Sequence, residues 1–543
     1  MTTALHYSPV KTPAEAGKIF GLQVAVLDWL RAFFRYSAQD EFPVLIGEAA
    51  GRREIEEAAS EAGLDPKRLA LLDQRAHENL PNFDTVFRAD PDPKRLLWQR
   101  QNLNGKGFAF CGLAHAISGI EGAQVLEQYC LAPSTAADAI VCPSKAVAGA
   151  IRAFWDNYGN YLKQRFGASF RCPAQLPVIP LGIDTEKFAQ CATAAKRAEQ
   201  RQKLGLKEHD IVLLWVGRLS AAIKAHPLSM FKAAERAAEL TGAAVHLVMQ
   251  GYFVPKEHEA EFRKLAHAVC HKAQVSFIAS DDARFTDGLW AAGDIFLSLV
   301  DNVQESFGLT PIEAMAAGLP RVMSDWNGYR DSVENGVDGF LIRTLMPPPG
   351  AGSALCGQLT DGKEIYGGFL GKTALCTSVD IEMAATTIKA LIEDKNKRRA
   401  MTQKAHARAA ATYDWRHIIP AYEALWRELA AKRQDISSNL SYPLAPDPFS
   451  IYAGYASAAL KESDRLQVLA GADEIRMLLG HGLNIFGIDI MVGPEDVTKI
   501  INGATGKNGI AIADLIAQLP TRDRARLWRT VGWLLKLGIL RTD

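Results

Sequence analysis

Two glutamates eight residues apart, Glu305 and Glu313, bracket the stretch ESFGLTPIE. A carboxylate accepts hydrogen bonds from hydroxyl groups, and a vicinal diol offers two donors to one such group, so a sugar or a ribose suits this pair. A second cluster, VGRLSAAIKAHP, sets Arg218 directly behind an apolar run and Lys224 six residues further on. Forked guanidinium donors beside a compact ammonium charge are suited to a diphosphate, although a surface arginine and lysine would look the same. His115 follows the apolar run GFAFCGLA; its imidazole is either structural or a partner for a substrate hydroxyl. Gly17 and Gly21 lead into VAVLDWLRAFFRY, where a glycine opens room for a ligand at a strand–helix turn or simply forms a loop.

The glutamate stretch also has a purely structural explanation. Thr310-Pro311-Ile312-Glu313 has the pattern of a helix start in which Thr310 caps, Pro311 takes the first helical position and Glu313 reaches back. Gly318 and Pro320 then end the helix. The two readings are compatible. The backbone amides of Phe307, Gly308 and Leu309 would face an anion or sugar hydroxyls at the helix N-terminus, with Gly308 allowing close approach.

The elements that must position these groups alternate along the chain. Short apolar runs at 42–47, 107–112, 139–144, 177–182, 210–217, 245–251, 275–280 and 294–300 are separated by helical stretches. Uniformly apolar strands between helices predict α/β architecture with doubly wound parallel sheets covered on both faces. The pattern divides into a first Rossmann-like domain over 1–182, a second over 183–433, a polar linker at 434–447 and a mainly helical module at 448–543. The second domain contains a Pro/Gly-rich loop or insertion at 347–371 and ends in a strongly helical run, 380–433, that packs back toward the first domain. The end of the module has a helix–turn–helix rhythm with no room for a wing hairpin after its last helix. It is read as a packing or oligomerisation module rather than a DNA reader.

Composition narrows the function. At 543 residues several domains are expected, and 61 basic against 61 acidic residues leave no global footprint for a nucleic acid. The eight cysteines contain no CxxC pair, which fits a reducing cytoplasm and argues against a zinc cage. Residues 1–13 lack a basic start with an apolar stretch, and no apolar run approaches the roughly 18 residues that span a bilayer. The aromatic and arginine-bearing VLDWLRAFFRYS is either a helix buried in the first domain or a peripheral contact with the inner face of a membrane. GGFLGKT imitates a phosphate loop with the wrong glycine spacing, and DPD at 90–92 lacks the context of a metal site. No metal is expected.

Together these pieces resemble the retaining GT-B glycosyltransferases of family four. ESFGLTPIEAMAAGLP matches the family's E-x7-E element and VGRLS…K its diphosphate grip; PLGIDTEKF matches the passage between domains, and SDWNGYRDSVENGVDGFLI the strand and loop after the glutamate helix. The family's lysine usually follows its arginine by five residues; here the interval is six. The resemblance implies a nucleotide-diphosphate sugar in the second domain and a saccharide or lipid-linked acceptor in the first, with no cofactor. By the same resemblance Glu313 holds the ribose, Glu305 the donor sugar and Arg218 with Lys224 the diphosphate. His115 lies near the sugar and Gly21 under the phosphates. A sugar-nucleotide epimerase of the same fold and a non-catalytic sugar-nucleotide sensor are the alternatives.

Overall fold

The first sheet is built from β1 (Thr3–Tyr7), β2 (Phe42–Ile46), β3 (Leu69–Asp73), β4 (Thr85–Arg88), β5 (Ala109–Leu113) and β6 (Ala139–Val141), all buried on both faces except the edge strand β3. They are ordered β3-β2-β1-β4-β5-β6 and pair in parallel throughout. The structure, a computed structural model, describes residues 2–9, 21–74, 80, 82–101, 103, 106–115, 117–285, 288–433, 440, 442–518 and 524–542. A second parallel sheet contains β7 (Ile211–Val216), β8 (Val245–Gly251), β9 (Gln274–Ala279), β10 (Ile295–Ser298), β11 (Arg321–Ser324) and β12 (Gly339–Ile342), in the order β12-β11-β10-β7-β8-β9. Each sheet thus repeats the doubly wound order 3-2-1-4-5-6, with a switch point where its first and fourth strands lie side by side. Both belong to one compact unit, Met1–Ser441.

Three strands of the first sheet lie outside the expected runs: β1, β3 and β4. In β1 and β4 the reason is a buried polar cluster. The Arg88 guanidinium is buried 2.5 Å from His6 Nδ1 and pairs with Asp90 at 2.6 Å, so charged residues interrupt the expected apolar runs. The expected strand at 177–182 does not form. Only isolated bridges at Val178 and Ile183 remain, because Pro177 and Pro180 lack the amides a ladder requires.

The run 380–433 folds as three helices, Ile381–Glu393, Lys395–Thr412 and Trp415–Ala431. The last crosses to the first sheet. Its Tyr422 and Trp426 pack with Trp29 and Phe87 at ring distances of 5.3 to 6.4 Å, and Glu423 accepts bonds from Ser37 Oγ at 2.6 Å and the Ala38 amide at 2.8 Å. Trp29, Phe33 and Phe34 are consequently buried in the helix Gly21–Tyr36. This corrects the membrane-contact alternative for that helix, whose apolar face is already occupied by protein. Among the described residues no helix is long and apolar enough to cross a membrane.

The segment at 347–371 is more than a loop. It contains the helix Ser353–Thr360 and the start of Tyr366–Leu375, and an antiparallel pair, β13 (Thr344–Leu345) with β14 (Ser378–Val379), closes the excursion at its base. The second unit, Tyr442–Asp543, has its own core around Leu466, Ile500, Leu527 and Val531. Beside its helices it holds a three-stranded antiparallel sheet of β15 (Arg465–Val468), β16 (Ile510–Ala511) and β17 (Leu540–Thr542). β17 follows the last helix, where no further strand was expected: Ile539 and Leu540 are buried and draw the chain back against β15. Most of the linker at 434–447 lies outside the described residues.

Candidate active site

The switch point of the second sheet lies between β7 and β10, which are neighbours although their chains continue in opposite directions across the sheet. Ligands in open α/β sheets settle beyond the carboxyl ends of the strands at such points. The loop after β7 carries Arg218 and Lys224; the loop after β10 carries Glu305 and leads into the helix Leu309–Ala316. The two loops meet in an ion pair, Lys224 Nζ to Glu305 Oε2 at 2.5 Å, with the side chains only 19% and 8% exposed. Asn302 fastens them further: its Nδ2 donates to the Ala222 carbonyl at 2.7 Å, and Trp326 Nε1 donates to the Asn302 carbonyl at 2.9 Å. Asp301, buried beside Asn302, accepts from the His226 amide at 3.2 Å, and desolvation pushes its carboxyl up to about 7.

Gly308 is required where it stands. Its φ is +92°, and a Cβ there would lie 2.5 Å from the Tyr329 ring. Tyr329 in turn bonds Ser298 Oγ at 3.1 Å and also reaches Glu305, so the glycine, tyrosine and glutamate form one packed corner. The helix starts at Leu309 with Gly308 as its N-cap and no side-chain cap. The capping-box expectation is therefore overturned, because Thr310 and Pro311 already lie inside the helix. Glu313 is the fifth helical residue, beyond reach of a cap position. Phe307 is buried against Tyr413, with ring centroids 6.1 Å apart, which leaves its backbone rather than its side chain for the cleft.

Glu313 faces a different space from Glu305. It lines a cavity of about 250 Å³ with Asp28, Arg31, Arg35, Lys187 and Trp415, between the helix Gly21–Tyr36 and the passage joining the sheets. Desolvation, followed by the charge of Asp28, pushes the Glu313 carboxyl up to about 7, while Lys187 and Lys224 oppose the shift. That Lys224 acts on both glutamates puts them in one electrostatic neighbourhood. Arg218 lies in the same loop and its charge is felt at the Tyr366 hydroxyl. His115, just after β5, hydrogen-bonds the Ala89 carbonyl through Nε2. Burial lowers its pKa and keeps the ring neutral near neutral pH, with the Ala89 bond and Asp90 opposing. Gly21 opens the helix Gly21–Tyr36; residues 10–20, including Gly17, lie outside the described residues.

Several residues of this region carry a weaker sequence signal. Ser144 caps the helix Lys145–Phe166 by accepting from the Val147 amide at 3.3 Å, and its Oγ donates to the Ser306 carbonyl at 2.8 Å, joining the first lobe to the glutamate loop. The Lys145 amide donates to Asp331 at 2.6 Å beside it. Pro143-Ser144 after an apolar run is a helix-start signal, but nothing in it foretells contact with the other lobe. Asp301 and Asn302, polar residues directly behind DIFLSLV, were the other available clue. Among the described residues no group of three or more His, Cys, Asp or Glu side chains is placed to hold a metal.

Residues 196–345 match the family model "Glycosyl transferases group 1". The chain is similar to D-inositol 3-phosphate glycosyltransferase of Geodermatophilus obscurus, 30% identical over 190 residues, covering 34% of this chain and 40% of the relative. It is also 29% identical over 174 residues to the UDP-Gal:alpha-D-GlcNAc-diphosphoundecaprenol alpha-1,3-galactosyltransferase of Escherichia coli, covering 31% of this chain and 42% of that one. The chain thus spans about two fifths of the length of these curated relatives. Among solved structures, a glycosyltransferase from Rickettsia africae superposes with a TM-score of 0.52 at 13% identity, covering 79% of this chain and 99% of that one. Anabaena HepE, solved in complex with UDP, gives 0.50 at 16% identity, covering 78% and 99%. Residues 196–345 thus match a group 1 glycosyl transferase model, and the two doubly wound sheets have the GT-B fold of these solved structures.

Proposed function

We propose that this protein transfers a hexose from a nucleotide-diphosphate sugar to an acceptor hydroxyl, with retention at the anomeric carbon and without a metal. The observation that carries the reading is the Lys224–Glu305 pair at the switch point of the second sheet. Departure of a nucleoside diphosphate builds negative charge while the sugar becomes oxocarbenium-like. Cations already held in place beside the leaving group are the chief catalytic device for such a step. Arg218 and Lys224 supply those cations, and Glu305 accepts a hydroxyl of the transferred sugar. The amides at 307–309 would face the same cleft, Glu313 takes the ribose hydroxyls, and neutral His115 meets the sugar from the first lobe. Gly21 would underlie the phosphates. Lys224 is engaged by Glu305, so donor binding would share the ammonium between carboxylate and phosphate.

The acceptor is a saccharide or a lipid-linked saccharide, as in surface polysaccharide or glycoconjugate synthesis; the name of the Escherichia coli relative supports this choice. All eight cysteines are unpaired, which suits a reducing cytoplasm. The 448–543 module is assigned to self-association. Calorimetric titration with UDP, GDP and ADP and their sugars should show binding of one base series. Arg218→Ala should then lower turnover about 10²- to 10³-fold. Unchanged turnover, or no binding of any nucleotide, would refute the reading; a free sugar as the product would favour the epimerase.

A further inference from the structure

The glycines of GGFLGKT have a use unrelated to phosphate. They lie in the insertion helix Tyr366–Leu375, where Gly367 and Gly371 are four residues apart and share a face. A Cβ on Gly371 would come within 3.0 Å of Ala222 Cβ and 3.2 Å of Ala222 Cα, and one on Gly367 within 3.7 Å of Ile223 Cγ2. The helix therefore rests directly on the loop that carries Arg218 and Lys224. From elsewhere in the site, Asn302 Nδ2 holds the Ala222 carbonyl at 2.7 Å. Residue 222 is gripped by both. The helix has its own anchors: Leu370 and Ala374 are buried, and the Tyr366 hydroxyl bonds Ser118 Oγ of the first lobe at 2.7 Å. Two residues past the gripped position, the Lys224 ammonium meets Glu305.

We propose that the insertion helix is a positioning element for Lys224, with Gly371 the positioning residue: its missing side chain seats the helix against Ala222 and sets the loop where the ammonium reaches Glu305 and the diphosphate. The inference rests on the nucleotide-sugar reading above. Substitution by a branched side chain must push Ala222 away, and the displacement passes through Ile223 to Lys224.

The test is calorimetry on the full chain with a matched pair, UDP with UMP, GDP with GMP or ADP with AMP, according to the base the wild type binds. Lys224→Ala should cost about tenfold or more in diphosphate affinity and little in monophosphate affinity, as expected for loss of a charged contact. Gly371→Val should weaken diphosphate binding about three- to tenfold, leave the monophosphate within twofold, and add nothing in the Lys224→Ala background. Equal weakening of both nucleotides, no change in either, or additivity with Lys224→Ala overturns the proposal. Should Gly371→Val lose its thermal transition, Gly371→Ala, which still needs Ala222 to yield by a few tenths of an ångström, serves the same comparison. If Lys224→Ala itself leaves the diphosphate preference intact, the failure lies in the diphosphate grip on which the inference stands.

Discussion

Glu313→Gln should stabilise the protein while weakening nucleotide binding, and both effects should depend on pH. Burial raises the Glu313 carboxyl from 4.5 to about 7, a difference of about 2.5 pH units. At about 1.36 kcal/mol per unit the ionised group costs the fold roughly 3 kcal/mol at most. The carboxylate is only partly buried at its surface, so solvent screening reduces this to about 1–2 kcal/mol. The sign follows from linkage. A carboxyl whose folded pKa is raised favours the folded state below pH 4.5, and this advantage is lost as pH rises through about 7. Above pH 7 the wild type bears the whole penalty, whereas the neutral amide bears none.

For a unit of about 440 residues, with roughly 2.1 cal/mol/K of unfolding entropy per residue, the gain amounts to about 1–2 °C in Tm. Scanning calorimetry of both proteins from pH 5 to pH 8 should show the difference appear as the pH climbs. Asp301 titrates in the same range but is common to both proteins, so it cancels in the comparison. In parallel, wild-type nucleotide affinity should improve as the pH passes through about 7 if, as proposed, ribose hydroxyls donate to the ionised form; the variant should lack that improvement. A variant destabilised at pH 8, or stabilised equally at pH 5 and pH 8, would refute the reasoning.

Two further outcomes test the frame that holds the site. Trp426→Ala should destabilise the larger unit by about 3–5 kcal/mol, read by denaturant unfolding, because a fully buried indole that bridges the last helix to Trp29 and Phe87 leaves a cavity. Gly308→Ala should cost about 1–3 kcal/mol in the same assay and reduce turnover, since it strains a left-handed position and drives a methyl group into Tyr329 beside Glu305.

The sequence by itself determined the alternation of apolar strands and helices, and hence two doubly wound lobes, because a strand buried on both faces must be apolar throughout. It also marked the candidate site residues, since each candidate stretch follows a strand: Arg218 and Lys224 after β7, Glu305 and Glu313 after β10, His115 after β5. Strands interrupted by buried polar residues escaped it, as at His6 and Arg88, whose contact joins positions 82 residues apart. Only the tertiary structure decided that Lys224 meets Glu305 while Glu313 turns toward a cavity shared with Asp28 and Lys187. It alone seated the insertion helix on Ala222. Such contacts depend on sheet order and on helices returning from distant parts of the chain, and local periodicity carries no record of either.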